Sequence, residues 1–301
     1  MGELALYTAV YPGVEPYLRD WYRSVEEQTD RDFVLWISLD GLSADAVVES
    51  MGADPGATWV RSMPGDTPAS VRQRGLETVV ESVRLLVMVD ADDILCPTRV
   101  QAARMALEST DVYACALRLV DSAGHDLGQT MSLPGALSAE DVLPSGNIFG
   151  LSNTAYRSDT LRGCLPIPSA AFAPDWYLAT KAWLNGARMG FDPVPRMHYR
   201  RDGRNMAVVG PPYAAEQICN DTKKVLEHFR LILSEATGAQ CSTRLEKLHL
   251  ALLETECFFQ SVVLSPPLLK DYVNRLNDIT GAPTWWGHVA APALREMWSA
   301  P

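Results

Sequence analysis

A chain of 301 residues, 47% hydrophobic and 21% charged, has ordinary globular composition and can bury one large core, or a large domain with a smaller appendage. Its formal charge of -11 argues against nonspecific attachment to nucleic acid or an anionic membrane, and an anionic substrate would need a metal ion or local cations to bind. Six cysteines, at 96, 115, 164, 219, 241 and 257, include no CxxC pair, so they read as small buried residues in a reducing compartment rather than zinc ligands or a disulfide framework. The N-terminus shows no basic leader and no stretch could span a bilayer, so the expected location is the cytoplasm.

In chain order, "LALYTAV" (4–10), "FVLWISL" (33–39), "ATWVRS" (57–62) and "LLVMVD" (85–90) read as short buried strands. Helical patterns fall between them. In 14–28, Val14, Tyr17, Leu18, Trp21, Tyr22 and Val25 share one face; 43–51 opens at Ser43 as a cap; 68–82 follows. Such alternation implies a mainly parallel sheet covered on both faces, with ligands beyond the carboxyl ends of its strands, where Asp40 and Asp90 fall. From 111 the pattern becomes a hairpin turning at Ser122-Ala123-Gly124. Residues 173–187 read as a helix with Trp176, Ala179 and Trp183 on one side, and 187–207 as a strand broken by prolines. After Pro211-Pro212 the chain reads as helix, with stripes at Leu226, Phe229 and Leu233 and at Leu245, Leu248, Leu252 and Phe259. The expected division is therefore a domain over 1–210 and a helical extension over 211–301, whose apolar stripes make a homodimer contact one of its open roles.

The stretch "LLVMVDADDILCP" ends an apolar run in three carboxylates, Asp90, Asp92 and Asp93. If the extended geometry persists, Asp90 and Asp92 lie on one face, where like charges oppose one another's ionisation. A divalent cation relieves that repulsion, and carboxylates suit magnesium or manganese. The competing reading is a helix cap before Pro97 or a solvated turn. Two enzyme classes place Asp-x-Asp at a strand end: phosphohydrolases using the first Asp as nucleophile, here Asp90, and glycosyltransferases whose acidic motif follows a nucleotide-binding half.

The residues upstream separate these classes. "YTAVYPGVEPYLRDWYRSVEEQTDRDFVLWISLDG" resembles the opening of family 2 glycosyltransferases, with Ser24-Val25-Glu26-Glu27-Gln28-Thr29, Asp32-Phe33 and Asp40-Gly41 at the family's "S-[IV]-x-x-Q-[TS]", "[DE]-[FW]" and Asp-Gly positions. "SVRQRGLE" is similar to the family's "ARNxGI", with Arg72 at its arginine and Gln73 replacing Asn. Asp90, Asp92, Asp93 and Pro97 match its "[FV]LDxDDxxxP", "GNIFGLSNTAYRSDTL" (146–161) its acceptor-side stretch, and 174–205 its "EDWDLxLR…G…YRxHxxN" region. The likeness runs in order from about residue 4 to 205, with two departures: Pro174 replaces the first acid of "ED", and Asp202 stands where relatives have His, with His198 four residues earlier.

The resemblance implies a GT-A-type, Rossmann-like mixed sheet, mostly parallel, flanked by helices and followed by the helical extension. It implies metal-dependent, inverting transfer of a sugar from a nucleotide-diphosphate sugar, a UDP-sugar first among them, to an acceptor hydroxyl. Manganese or magnesium would be held by Asp92 and Asp90, with Asp202 or His198 as an open third contact. Asp40, Arg72 and Asp90 would meet the nucleotide and Asp175 would be the general base, although Asp before a helix also serves as an N-cap. Processive relatives carry Gln-x-x-Arg-Trp and membrane spans. Here Gln101-Ala-Ala-Arg104-Met105 lacks the Trp, which points to a nonprocessive enzyme. A phosphohydrolase and a noncatalytic nucleotide-sugar-binding scaffold are the alternatives. Donor sugar and acceptor identity are not encoded in any motif.

Overall fold

The computed structural model describes residues 2–133, 137–201, 210–236, 242–279 and 284–299. Its strands are β1 (Gly2–Val10), β2 (Val34–Leu39), β3 (Thr58–Arg61), β4 (Val83–Met88), β5 (Ile94–Leu95), β6 (Val112–Asp121), β7 (Asp126–Met131), β8 (Thr154–Arg157) and β9 (Met189–Arg201). Its helices are α1 (Leu18–Glu26), α2 (Ala44–Met51), α3 (Pro68–Val80), α4 (Arg99–Ala106), α5 (Ala139–Val142), α6 (Ser158–Arg162), α7 (Pro174–Leu184), α8 (Ala215–Ser234), α9 (Ser242–Phe258) and α10 (Pro266–Asp278). Two units interleave along the chain: Met1–Met131, Phe149–Ser169 and Ala187–Arg204 form one, and Ser132–Ile148, Ala170–Gly186 and Asn205–Pro301 the other.

The first unit holds the whole sheet, ordered β3-β2-β1-β4-β8-β6-β9-β5 with β7 on the side of β6. Its opening half forms as the strand–helix alternation requires. β1 pairs in parallel with β2 and β4, and β2 with β3. Leu4 through Val10 are buried without a break, the signature of a strand covered on both faces. Ser43 caps α2 by accepting the Ala46 N–H at 3.2 Å. On α1, Leu18, Trp21 and Val25 go inward from the stripe read in the sequence, while Tyr17 and Tyr22 stay partly exposed.

The expectation of a mostly parallel sheet fails in the second half. β8 inserts between β4 and β6 and runs against both, β7 runs against β6 and β5 against β9; only β6 and β9 are parallel there. The sheet is mixed. Side-chain periodicity fixes that a segment is a strand, whereas direction is set by how distant segments return, and four-residue β8 gives little signal of its own. Pro193 and Pro195 do not break β9; they coincide with the register shifts against Cys115, Ala116 and Leu117, as proline's missing N–H requires.

The second unit is helical, built on α5, α7, α8, α9 and α10. Trp176, Trp183, Phe229, Phe258 and Tyr272 are buried in it, and Trp176 satisfies its indole N–H on the Leu143 carbonyl at 3.1 Å. Among the described residues no helix is long and apolar enough to cross a membrane.

Candidate active site

β4 ends at Met88, so the extended geometry does not carry through the three aspartates. The chain turns instead, with the Asp93 N–H bonded to the Asp90 carbonyl at 3.2 Å. A turn sends the side chains apart where a strand would have kept Asp90 and Asp92 on one face. Asp90 Oδ1 accepts from Arg72 Nη2 at 3.3 Å, and Asp92 Oδ2 accepts from the Tyr11 hydroxyl at 3.4 Å. Asp93 goes inside, 1% exposed, where Oδ1 accepts the Arg200 backbone N–H at 2.7 Å and Oδ2 has no hydrogen-bond partner. Burial raises the Asp90 carboxyl above its usual range, partly offset by Arg72. Burial, then the charges of Asp92 and Asp90, raise Asp93 well above it. Burial thus opposes the ionisation of two of the three carboxyls in this turn.

Three segments hold that turn in place. Gln28 is buried at the end of the "SVEEQT" motif, where Nε2 donates to the Cys96 carbonyl at 2.9 Å and Oε1 accepts the Val100 N–H at 3.1 Å. Ser24 Oγ accepts the Leu95 N–H at 3.1 Å, and the Thr29 N–H reaches the Pro97 carbonyl at 2.8 Å. The motif therefore clamps residues 95–100 directly downstream of the aspartates. Arg200 is buried rather than solvated, as an arginine in a polar loop would be by default. Its Nε donates to the Asp92 carbonyl at 2.7 Å, its Nη1 to the Ser122 carbonyl at 2.8 Å, and its guanidinium lies 4.5 Å from the Tyr17 ring centre.

Arg72 reaches Asp90 because α3 lies close on the sheet. A Cβ on Gly75 would stand 2.2 Å from both Ser38 Oγ and the Tyr7 hydroxyl, themselves bonded at 3.0 Å, so only glycine permits this approach. Gln73 accepts the Ile167 N–H at 2.7 Å. Asp40 follows β2 directly, its N–H bonded to the Val10 carbonyl at 2.8 Å. Tyr11, Asp40 and Asp90 thus stand just past the carboxyl ends of three adjacent parallel strands.

His198 is not drawn into this group. Its register partner is Ile94, the charges acting on it are Asp126 and Arg118, and burial lowers its pKa. Its neighbour Tyr199 feels Asp93, Asp90 and Asp92, which together with burial raise its phenol; no sequence signal marked it out. Asp202 lies outside the described residues. Among the described residues no three His, Cys, Asp or Glu side chains converge as a metal-ligand group.

In the second unit, Asp175 is the second residue of α7, whose N-cap is Ala173. Its Oδ2 accepts from Asn147 Nδ2 at 2.9 Å. Asn147 is fully buried, and the sequence reading did not single it out.

The chain aligns with a solved structure of S. aureus TarS, residues 1–349 in complex with UDP-GlcNAc, at a TM-score of 0.60 and 16% identity over 92% of its length and 80% of that chain. The fold is of the GT-A glycosyltransferase type. A mannosyltransferase from Pyrobaculum calidifontis, solved with GDP-Man and Mn2+, shares this GT-A fold at a TM-score of 0.57 and 14% identity, over 91% of this chain and 79% of that one. The chain spans 47% of a longer TarS structure. No protein-family model and no curated protein matches the sequence.

Proposed function

We propose that this GT-A fold serves a family 2-type glycosyltransferase, which moves a sugar from a nucleotide-diphosphate sugar to an acceptor hydroxyl. The observation that carries the reading is the acidic turn itself, with Asp90 and Asp92 just past the carboxyl end of β4, beside Asp40 and Tyr11 at the ends of the adjacent parallel strands. Carboxylate oxygens such as those of Asp90 and Asp92 are hard donors of the kind that suits magnesium or manganese. Such ions are commonly held by one or two protein carboxylates, with substrate phosphates and water completing the shell. The donors and ion present in the TarS and mannosyltransferase structures support the same ligand classes.

Asp92 would hold the ion, Asp90 would stand between ion and ribose, and Asp93 would anchor the turn through Arg200. Of the two residues considered for a third contact, Asp202 would supply it, since His198 faces Asp126 and Arg118. When bound, the ion would act as a Lewis acid on the departing diphosphate. Asp40 and Arg72 would meet the nucleoside. Asp175 would take the proton of the acceptor hydroxyl as the new C–O bond forms at the anomeric carbon. The bond from that carbon to the phosphate oxygen breaks in the same step, and the nucleoside diphosphate leaves with the electron pair. A single displacement of this kind inverts the anomeric configuration. Gln101 and Arg104 support a nonprocessive enzyme, since both serve structure: Arg104 pairs with Asp30 at 2.6 Å, and Gln101 accepts from Thr29 at 3.3 Å.

Thermal-shift measurements with UDP, GDP, UDP-GlcNAc and GDP-mannose, each with and without Mn2+, test the reading. A metal-dependent rise in Tm with at least one nucleotide is the expected result, because ligand binding stabilises the native state. Phosphate release from small phosphoesters, with an aspartyl-phosphate trapped on Asp90, would instead establish the phosphohydrolase.

A further inference from the structure

Asp175 is held by a residue whose own place is set from near the C-terminal end of the chain. Asn147 donates from its side chain to Asp175 Oδ2 at 2.9 Å. Its backbone is fixed by Trp285 in an isolated antiparallel bridge: the Asn147 N–H reaches the Trp285 carbonyl at 2.9 Å, and the Trp285 N–H reaches the Asn147 carbonyl at 3.1 Å. All three residues belong to the second unit.

The turn carrying Trp285 has a shape that local preference opposes. Trp286 has φ of +66° and Ala290 of +47°, the left-handed region that a bulky side chain avoids. Such backbone persists only where its surroundings over-determine it, and it clusters at functional sites. Here Trp285, Trp286 and His288 are all buried. Phe172, three residues before Asp175, packs edge-on against Trp286 with ring centres 4.9 Å apart. His288 Nε2 meets Asp221 Oδ2 on α8 at 2.9 Å, while the Tyr272 hydroxyl donates to the His288 carbonyl at 2.8 Å and accepts the Ala291 N–H at 2.9 Å. A Cβ on Gly287 would lie 2.2 Å from Thr284 Oγ1, so a side chain there must displace the Thr284 hydroxyl.

We propose that the 284–291 turn, acting through Asn147, is a positioning device for the Asp175 carboxylate. Asn147 is the positioning residue, and Trp285 is its backbone support. The inference rests on the reading of Asp175 as general base. A hydrogen bond to one carboxylate oxygen restrains rotation about the Cβ–Cγ bond, which sets where the second oxygen points. It also favours the ionised carboxylate that a base must be.

Asp175 can be watched directly by carboxyl-carbon NMR on the full chain, its signal identified by its loss in Asp175→Asn. Asn147→Ala, or Asn147→Ser if that variant folds poorly, should raise the titration midpoint of Asp175 by roughly half a pH unit or more. Gly287→Ala should raise it likewise, and adding Thr284→Ala, which removes the blocking hydroxyl, should bring it back. An unmoved midpoint in folded Asn147 variants overturns the positioning role, whatever Asp175 does. A midpoint that moves in those variants but not in Gly287→Ala overturns the part assigned to the turn. If the midpoint moves as expected while Asp175→Asn hydrolyses UDP-GlcNAc with Mn2+ at the full rate, the base reading falls and the positioning role stands.

Discussion

The acidic turn and the surroundings of Asp175 are built in opposite ways. In the first, Asp90, Asp92 and Asp93 are neighbours in the chain, and the clamp that steadies them is a short motif, Ser24 to Thr29, closing on residues 95–100. In the second, a single acid, Asp175, accepts from Asn147, 28 residues away, whose backbone is bridged in turn to Trp285. The three acids share one turn because they are neighbours in sequence, whatever separate partners their side chains then take. The orientation of a single acid has to be assembled from distant segments. The acidic turn is therefore legible as a motif, and the other centre is not.

Mutations should separate the two centres by what they spare. Asp175→Asn should lower the transfer rate by about 10²–10⁴-fold, the usual worth of a general base, with Mn2+-dependent donor binding unchanged in calorimetry. Asp92→Ala should lower it by about 10²–10³-fold and remove the metal-dependent part of donor binding, as loss of an electrostatic anchor does. A full transfer rate in the first variant, or undiminished Mn2+-dependent binding in the second, would break the contrast.

Gln28→Leu probes the clamp. It leaves the Cys96 carbonyl and the Val100 N–H without their partner, which should cost about 2–6 kcal/mol in urea denaturation, at about 1–3 kcal/mol for each buried group. A loss within experimental error would mean that the clamp does not steady the turn.

The smallest effect concerns acid stability of the helical unit. His228 stacks on Trp176 at 4.0 Å, neither ring nitrogen has a hydrogen-bond partner, and burial pushes its pKa down to about 3. Its unfolded value is near 6.5, so between about 6.5 and 3 the unfolded chain takes up the proton first. Stability from a neutral His228 is therefore complete above that window and falls on acidification, by at most about 1.4 kcal/mol per pH unit. His228→Phe should flatten this acid limb in urea denaturation between pH 6.5 and 5. An unchanged slope would show that His228 does not titrate against its burial.

Much of the first unit is written locally. Continuous burial of β1, the stripe on α1 and the Ser43 cap all follow from residue type and spacing. The sheet's second half does not, because β8 lies between β4 and β6 by virtue of chain return rather than of its four residues. Nor could spacing say that the chain turns at Asp90, that Arg200 is buried against the Asp92 carbonyl, or that His198 faces Asp126 and Arg118.

By itself, then, the sequence determined which residues crowd charge, where the parallel strands end and which motifs surround them, since these depend on side-chain chemistry within a few positions. Only the tertiary structure decided strand direction past β4, the separate partners of the three aspartates and the hold of Asn147 on Asp175. Those depend on segments tens of residues apart coming within hydrogen-bond distance, which no local periodicity encodes.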